Sequence, residues 1–451
     1  MEKKGSVPIF LEKMSAATTR LPIWIHRFLI PLIFLTLCPP AVFIFWYTAT
    51  ALDGSFQVLG DLVWQKGLFS IVASIWQPVF FGTPLAWKIL ACFTAFQLFL
   101  MKAIPGKPFV GPITPKGNIP IYKANGIPCF FITFVTFILA TYKFHWFSPT
   151  IIYDNLGPLL GALNCFSLLF CLYLYFKGIF SPSSSDCSTT GNLLFDYYWG
   201  TELYPRVYGW DVKMFTNCRF GMMGWSLAIL SYAAKQEELY GLSDSMVVAV
   251  ALQLLYIGKF FFWETGYLRS LDIMHDRAGF MICWGCLVWL PCIYTSPTLY
   301  LVNHPNQLGI VLATAIFLAG AASILINFMA DRQRQQIRAK NGACLIWRSK
   351  PSLIQAAYQT QSGETKQALL LASGWWGLSR HFHYIPELMG AFFWTLPALF
   401  NHFLPYFYIV FLTILLVDRA FRHDKRCADK YGKHWDQYCE KVPYKMIPYL
   451  F

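Results

Sequence analysis

The sequence predicts an all-α polytopic membrane protein with about ten transmembrane helices. Hydrophobic residues make up 56% of the 451 residues, aromatic residues 18% and charged residues only 13%. This composition lies outside the range of soluble domains. Apolar runs recur along the chain, and most are long enough to cross a bilayer. Basic residues collect in alternate loops between the runs, a pattern typical of cytoplasmic loops.

Ten apolar runs mark the predicted helices in chain order. They centre on residues 28–47, 85–101, 128–146, 158–180, 221–234, 245–263, 279–301, 308–330, 388–400 and 403–417. We therefore expect an N-terminal arm over residues 1–27 and a membrane region with a substrate pocket and eight helices over 28–330. A cytoplasm-facing cofactor region with the last two helices follows over 331–451.

Charged residues orient these helices. Four lysines and no acidic residue occupy the loop after the second run: Lys102, Lys107, Lys116 and Lys123. The positive-inside rule makes this loop cytoplasmic, and both termini are predicted on the same side. The formal charge of +13 is concentrated in the loops and termini predicted to be cytoplasmic. Membrane lipids are therefore the expected partners, and no nucleic acid is needed to explain the charge. The expected location is the endoplasmic reticulum membrane, or the inner membrane if the source is bacterial.

Several common signatures do not occur. The chain has no GxGxxG or P-loop, so a nucleotide would have to be held by side chains from inner loops and helix ends. Only His381 and His383 are close together among the nine histidines, which argues against a diiron centre. Cys283 and Cys286 lie in an apolar run without a second pair, so a core position is favoured over a metal site. No metal is expected.

The last 83 residues carry the richest motifs, because Arg, His, Tyr and Trp stand beside strongly apolar runs. The motifs are SGWWGLSRHFHYIPE from Ser373, PYFY from Pro405, RAFRHDKRCADKYGKHWDQYC from Arg419 and VPYK from Val442. In order and spacing this segment resembles the C-terminal region of the sterol reductase family, most closely its 7-dehydrocholesterol reductase branch. The resemblance extends from about residue 190 to Phe451.

The resemblance implies NADPH-dependent reduction of a ring C=C bond in a sterol that enters from the bilayer, most closely the Δ7 bond of a 5,7-diene. It assigns eleven positions to the cofactor: Arg334, Arg338, Leu371, Trp376, Arg380, His383, Tyr384, Arg419, Cys427, Tyr431 and Tyr438. The residues alone do not decide whether these positions bind a cofactor, because basic runs and aromatic residues also flank membrane helices in general. Guanidinium groups do match phosphate oxygens in geometry.

Reduction of a C=C bond needs a proton donor as well as a hydride donor. The resemblance points to Tyr256 and to the position of His423, with Asp424 beside it, as catalytic candidates. It also points to four acidic residues as substrate-binding candidates: Glu202, Glu264, Asp272 and Asp276. Periodicity alone would make Tyr256 a core residue, and structural ion pairs explain the four acids equally well.

Five positions depart from the family pattern: Lys259 and His423 each replace Asp, His383 replaces Asn, and Pro386 with Glu387 replaces Gly-Asp. Lys259 would favour the phenolate of Tyr256. These departures motivate an alternative, a sterol-binding or scaffold protein of the same fold without catalysis. A methyltransferase similar to the isoprenylcysteine enzymes is a third hypothesis. The basic residues Arg334 and Arg338 argue against it, because S-adenosylmethionine has no phosphates.

Overall fold

The computed structural model describes residues 22–114, 116–359 and 365–451. Over these residues the chain is mainly helical, with three two-stranded antiparallel sheets. Most of the predicted N-terminal arm, up to residue 21, lies outside the described residues. The helical architecture, with its long apolar helices, confirms the predicted fold class.

The principal helices follow one another along the chain. They are α1 (Ile25–Ala51), α2 (Phe56–Lys66), α3 (Leu68–Val79), α4 (Pro84–Ala103), α5 (Gly126–Lys143), α6 (Leu156–Phe180), α7 (Leu193–Trp199), α8 (Met222–Tyr240), α9 (Asp244–Phe262), α10 (Phe280–Leu301), α11 (Ile310–Ala339), α12 (Tyr384–Thr395), α13 (Leu404–Tyr431) and α14 (Lys433–Lys441). Further helical segments lie at Ile151–Asp154, Met214–Gly221, Glu264–Tyr267, Leu271–Met274 and Trp375–Leu378.

Eight helices of the described chain are long and apolar enough to cross a membrane: α1, α4, α5, α6, α9, α10, α11 and α13. The pair α2 and α3 makes a ninth span if it is counted as one, although it bends by 112°. Gly67 lies at the bend with φ 81°, a conformation that favours glycine. The predicted runs at 221–234 and 388–400 fall largely in α8 and α12, which are not among these candidate spans. Helix α12 has only 12 residues, and α8 carries Lys235, Glu237 and Glu238 near its end.

Three hairpins join the helices. Strand β1 (Lys107–Val110) pairs with β2 (Ile121–Ala124), and β3 (Arg206–Val207) pairs with β4 (Trp210–Asp211). The longest pair, β5 (Leu353–Gln359) and β6 (Thr365–Leu371), runs in register from Leu353 opposite Leu371 to Gln359 opposite Thr365. The sequence analysis predicted none of these strands.

The chain divides into two compact units. The large unit comprises Trp24–Ile316 and Trp394–Tyr408, and the small unit comprises Phe317–Phe393 and Ile409–Phe451 together with residues 22–23. In the large unit α10 is the most enclosed of the candidate spans. In the small unit the buried face of β5 contributes Ile354 and Ala356 to a hydrophobic core with Trp435 and Val442.

Candidate functional site

The small unit places an arginine against a buried indole at the end of α11. The guanidinium carbon of Arg334 lies 4.1 Å from the centroid of the Trp376 ring, within the range of a cation–π contact. The Trp376 indole N–H donates to the carbonyl of Ala330 at 2.8 Å. Arg338 lies one helical turn beyond Arg334 and is exposed. The two arginines predicted to bind the cofactor therefore share one face of α11.

A glycine turn fixes the position of Trp376. Gly374 has φ 63°, and a Cβ added there would lie 2.3 Å from the side-chain oxygen of Gln333. The same Gln333 oxygen accepts the backbone N–H of Trp375 at 3.0 Å. A residue with a side chain at position 374 would be both strained and in collision with Gln333. The Ser-Gly-Trp-Trp motif thus brings its second tryptophan onto α11 through one tight turn.

Asp424 is the centre of an ionic cluster in the small unit. Its carboxylate accepts hydrogen bonds from Arg380 at 3.1 Å and from His381 at 3.3 Å, and Lys445 lies 3.4 Å away. Arg380 also donates to the carbonyls of Val442 and Pro443 at 2.8 and 2.9 Å. In this arrangement Arg380 and Asp424 tie the Arg-His turn to the C-terminal segment.

His381 is almost fully buried beside this cluster. Burial lowers the pKa of His381 below its ordinary value, although the hydrogen bond and charge of Asp424 oppose this shift. The His381 ring stacks on Tyr384, with centroids 5.4 Å apart, and meets the edge of His423 at 5.0 Å. The buried imidazole of His381 therefore contacts both Tyr384 and His423.

His423 and Asp424 both contact His381, but their other neighbours differ. The sulfur of Cys427, one turn along α13, lies 3.6 Å from Nδ1 of His423, and the ring of Trp435 lies 6.5 Å away. Successive residues on a helix differ by about 100° in direction, so the two side chains cannot occupy one position. The structure agrees with this expectation, because the ion pairs involve Asp424 and the contacts with Cys427 involve His423.

The remaining predicted cofactor residues surround Trp376 and the β5–β6 hairpin. Leu371 packs with Trp376, while His383 lies between Trp376 at 5.0 Å and Tyr384 at 4.1 Å between ring centroids. The Tyr438 hydroxyl donates to the carbonyl of Trp376 at 3.3 Å.

Among the predicted cofactor residues, Tyr431 packs against the β5–β6 hairpin. Lys430 lies 3.8 Å above the ring of Tyr358 on β5 and 5.1 Å from the ring of Tyr431. Arg419 is half-buried on α13, one turn before His423. All eleven predicted cofactor positions therefore lie in the small unit, and most of them contact one another.

Tyr256 lies in the large unit within a group of aromatic rings. Its ring centroid is 5.2 Å from that of Trp394 and 5.8 Å from that of Trp225. The Trp225 indole donates to Gln253 at 2.8 Å. The ammonium of Lys259 lies 4.6 Å from the Tyr256 ring centroid, as the sequence analysis expected of this pair.

Two of the predicted substrate-binding acids form ion pairs within the large unit. Glu202 accepts hydrogen bonds from Lys177 at 2.8 Å and from the backbone of Ser183. Glu264 pairs with Arg219 and accepts the backbone N–H of Gly126 at 2.8 Å. Both carboxylates are buried, so each oxygen is already engaged in a structural contact.

The other two acids flank a buried lysine. The ammonium of Lys213 donates to the backbone carbonyls of Asp272 at 2.8 Å, Ile273 at 2.7 Å and Asp276 at 2.8 Å. Burial lowers the pKa of Lys213 to about 8, and the nearby carboxylates of Asp211, Asp276 and Asp272 oppose the shift. The segment that carries Asp272 and Asp276 is thus held by its backbone.

Comparison with known proteins places these features in a family. A sequence profile of the ergosterol biosynthesis ERG4/ERG24 family matches residues 36–451. The chain belongs to this sterol reductase family. The prediction of the family from the C-terminal motifs is thereby confirmed, together with that of an integral membrane oxidoreductase.

Individual sterol reductases resemble the chain over most of its length. It is 52% identical to a 7-dehydrocholesterol reductase of Arabidopsis thaliana over 97% of this chain and 100% of that protein. It is 40% identical to a 7-dehydrocholesterol reductase of Danio rerio, over 84% of this chain and 82% of the relative. A Delta(14)-sterol reductase of Methylotuvimicrobium alcaliphilum is 37% identical over 93% of this chain and 94% of its own length.

The small unit of this sterol reductase suits a phosphorylated dinucleotide. Arg334 and Arg338 provide two guanidinium groups one turn apart, and Trp376 and Tyr384 provide aromatic rings near Arg334 and His383. Guanidinium groups bind phosphate oxygens, and aromatic faces pack against planar rings. Over the described ranges no group of three or more His, Cys, Asp and Glu residues is arranged to hold a metal ion.

Sequence analysis missed several residues that position the site. The Asn327 amide donates to the carbonyl of His383 at 2.8 Å, and Lys445 completes the cluster of Asp424. Asn327 precedes Arg334 by two helical turns within an apolar run. A single amide on the same helix face as the arginine could therefore have indicated a residue of the site. Nothing in the sequence indicated that Trp225 and Trp394 would meet at Tyr256.

Proposed function

We propose that this chain reduces the Δ7 double bond of a sterol 5,7-diene with NADPH. The observation that carries the proposal is the 52% identity, over 97% of the chain, to a relative named 7-dehydrocholesterol reductase. The arrangement of Arg334 on Trp376 supports a phosphorylated cofactor. A nicotinamide cofactor, when bound, supplies the hydride that C=C reduction requires.

The residues proposed to hold the cofactor lie in the small unit. Arg334 and Arg338 would pair with phosphates, and Trp376, His383 and Tyr384 would pack against its rings. Arg419, Leu371, Cys427, Tyr431 and Tyr438 complete the proposed set. Arg380 acts indirectly, because its guanidinium holds Asp424 and the carbonyls of Val442 and Pro443.

Tyr256 is the proposed proton donor. Its phenol transfers a proton to one carbon of the double bond, while the neighbouring carbon accepts the hydride. Trp225 and Trp394, both almost wholly buried, pack beside its ring. His423 is the alternative donor, and Asp424 would orient it through His381. Glu202 and Glu264 support the fold through ion pairs, and Asp272 and Asp276 flank the buried Lys213.

The proposed setting follows from loop charges and from the substrate. Sterols are bilayer lipids, so the substrate would reach the protein from the membrane. We propose the endoplasmic reticulum membrane with both termini in the cytoplasm, because the lysine-rich loop after α4 is expected on that side. Sterol and membrane lipids are the proposed partners.

The test is a direct assay of the purified protein in lipid nanodiscs. 7-Dehydrocholesterol is supplied with NADPH, or with NADH as a cofactor control, and sterols are identified by mass spectrometry while the diene absorbance is followed. The proposal expects cholesterol and loss of the diene with NADPH. Bound sterol without any product from Δ7, Δ14 or Δ24 substrates would instead support the non-catalytic sterol binder.

A further inference from the structure

Lys259 is a cation in contact with the proposed proton donor. It follows Tyr256 by three residues on α9, and its ammonium lies 4.6 Å from the centroid of the Tyr256 ring. Positive charges inside membrane spans are costly and usually mark function. A lysine in the last turn also complements the helix dipole, but that role does not require contact with a tyrosine ring.

Aromatic rings pack around Tyr256. Trp225 and Trp394 flank Tyr256 and are at most 1% exposed. The phenols of Tyr294 and Tyr408 belong to the same group of rings, since Tyr294 contacts Trp225 at 5.5 Å and Tyr408 contacts Trp394 at 6.0 Å. The two buried indoles therefore cover part of the Tyr256 ring, so a nearby charge acts on its phenol with less screening than in bulk water.

The size of the effect follows from Coulomb's law. The Lys259 ammonium lies 4.6 Å from the centroid of the Tyr256 ring, and a cation about 5 Å from a negative charge, at an effective dielectric constant of about 20, favours the ionised form on the order of a hundredfold. A proton donor that becomes negative as it reacts is improved by such a charge, because the charge stabilises the product of proton transfer more than the neutral phenol.

We propose that Lys259 is a positioning residue that makes Tyr256 a stronger proton donor, an inference that rests on the proposed function. In this step the O–H bond of Tyr256 breaks and a C–H bond forms with the electron pair of the sterol double bond. The adjacent carbon, left positive, takes the hydride that NADPH supplies. The Tyr256 phenolate faces the Lys259 ammonium until it regains a proton from water.

The first experiment compares pH profiles of sterol reduction in nanodiscs. Lys259→Met removes the charge, Lys259→Gln does so with a polar side chain if the methionine variant fails to fold, and Lys259→Arg keeps the charge. Lys235→Met is the matched control, because Lys235 lies 5.9 Å from the ring of Tyr153 and pairs with Asp154.

We expect the neutral variants to lower kcat at neutral pH by about 10- to 100-fold. KM should be unchanged, and the alkaline limb of kcat should move upward by about one to two pH units. Lys259→Arg and Lys235→Met should retain the wild-type profile. A lower kcat in the neutral variants with an unmoved alkaline limb would reduce Lys259 to a structural role and overturn the inference.

A second readout does not need activity. In protein with ring-labelled tyrosine, 13C NMR follows ionisation of Tyr256, whose signal is assigned by its loss in Tyr256→Phe. The inference expects ionisation at higher pH in the neutral Lys259 variants than in the wild type. An unchanged ionisation midpoint overturns it even if the wild type reduces sterol. If the wild type reduces no diene, the proposed function fails while this titration still decides the role of Lys259.

Discussion

Replacing Glu264 with glutamine should destabilise the large unit without altering sterol affinity. The Glu264 side chain is 3% exposed and that of Arg219 is fully buried, and the two pair directly. The second Glu264 oxygen accepts the Gly126 N–H, and Arg219 also donates to Asn125 at 2.8 Å. Removing one partner of such a pair leaves a buried charge uncompensated, which costs about 3–5 kcal/mol.

The assay is equilibrium unfolding in mixed micelles of a mild detergent and SDS, followed by circular dichroism. Glu264→Gln and Arg219→Met should each lose about 3–5 kcal/mol of unfolding free energy. The double variant Arg219→Met/Glu264→Met should lose less than the sum of the single variants, because no unpaired charge remains. Gly126→Ala should also destabilise, since its Cβ would lie 2.8 Å from the Glu264 carboxyl carbon.

The kinetic control separates the structural role from substrate recognition. If Glu264→Gln folds as stably as the wild type and instead raises KM for the sterol, the ion-pair argument is refuted. Glu264 would then be the substrate-binding residue that the family resemblance suggested.

Three further predictions concern Arg334, Lys213 and His381. Arg334→Gln should weaken NADPH binding about 10- to 100-fold by calorimetry, whereas Arg332→Gln, exposed on the same helix, should leave it unchanged. Lys213→Met should cost at least about 3 kcal/mol of unfolding free energy, because three buried carbonyls lose their donor; an unchanged unfolding midpoint would contradict this. Because the pKa of His381 is lowered in the folded protein, His381 takes up a proton at higher pH in the unfolded chain than in the folded one. Stability should therefore be complete above about pH 6.5 and fall below it by up to about 1.4 kcal/mol per pH unit, a slope that His381→Gln should reduce.

Long apolar runs made the membrane helices predictable. Eight of the ten predicted runs coincide with the eight candidate spans of the described chain, because an uninterrupted apolar stretch has few alternatives to a membrane helix. The bent pair α2 and α3 was missed because Asp61, Lys66 and Gly67 interrupt its apolar pattern. The hairpin of β5 and β6 was missed because its apolar alternation is short and lies in a segment rich in polar residues, between two predicted helices.

The sequence motifs assigned the candidate site residue by residue, but they did not indicate its internal contacts. The motifs assigned roles to Arg334 and Trp376, yet nothing in the sequence shows that the guanidinium lies on the indole. Asp424 was singled out as a neighbour of His423, whereas its partners Arg380 and Lys445 come from other segments. Such pairings depend on packing between distant segments, which local patterns do not encode.

The contacts of the Arg-His turn impose an order on biosynthesis. Arg380 donates to the carbonyls of Val442 and Pro443, which the ribosome adds 62 and 63 residues later. The backbone N–H groups of Arg380 and His381 donate to the carbonyls of Tyr444 and Lys445, which are also synthesised later. Helices inserted earlier can pack while translation continues, but this turn acquires its partners only after nearly the whole chain has been made. Messages cut short before Val442 would thus yield membrane-inserted products with this site incomplete.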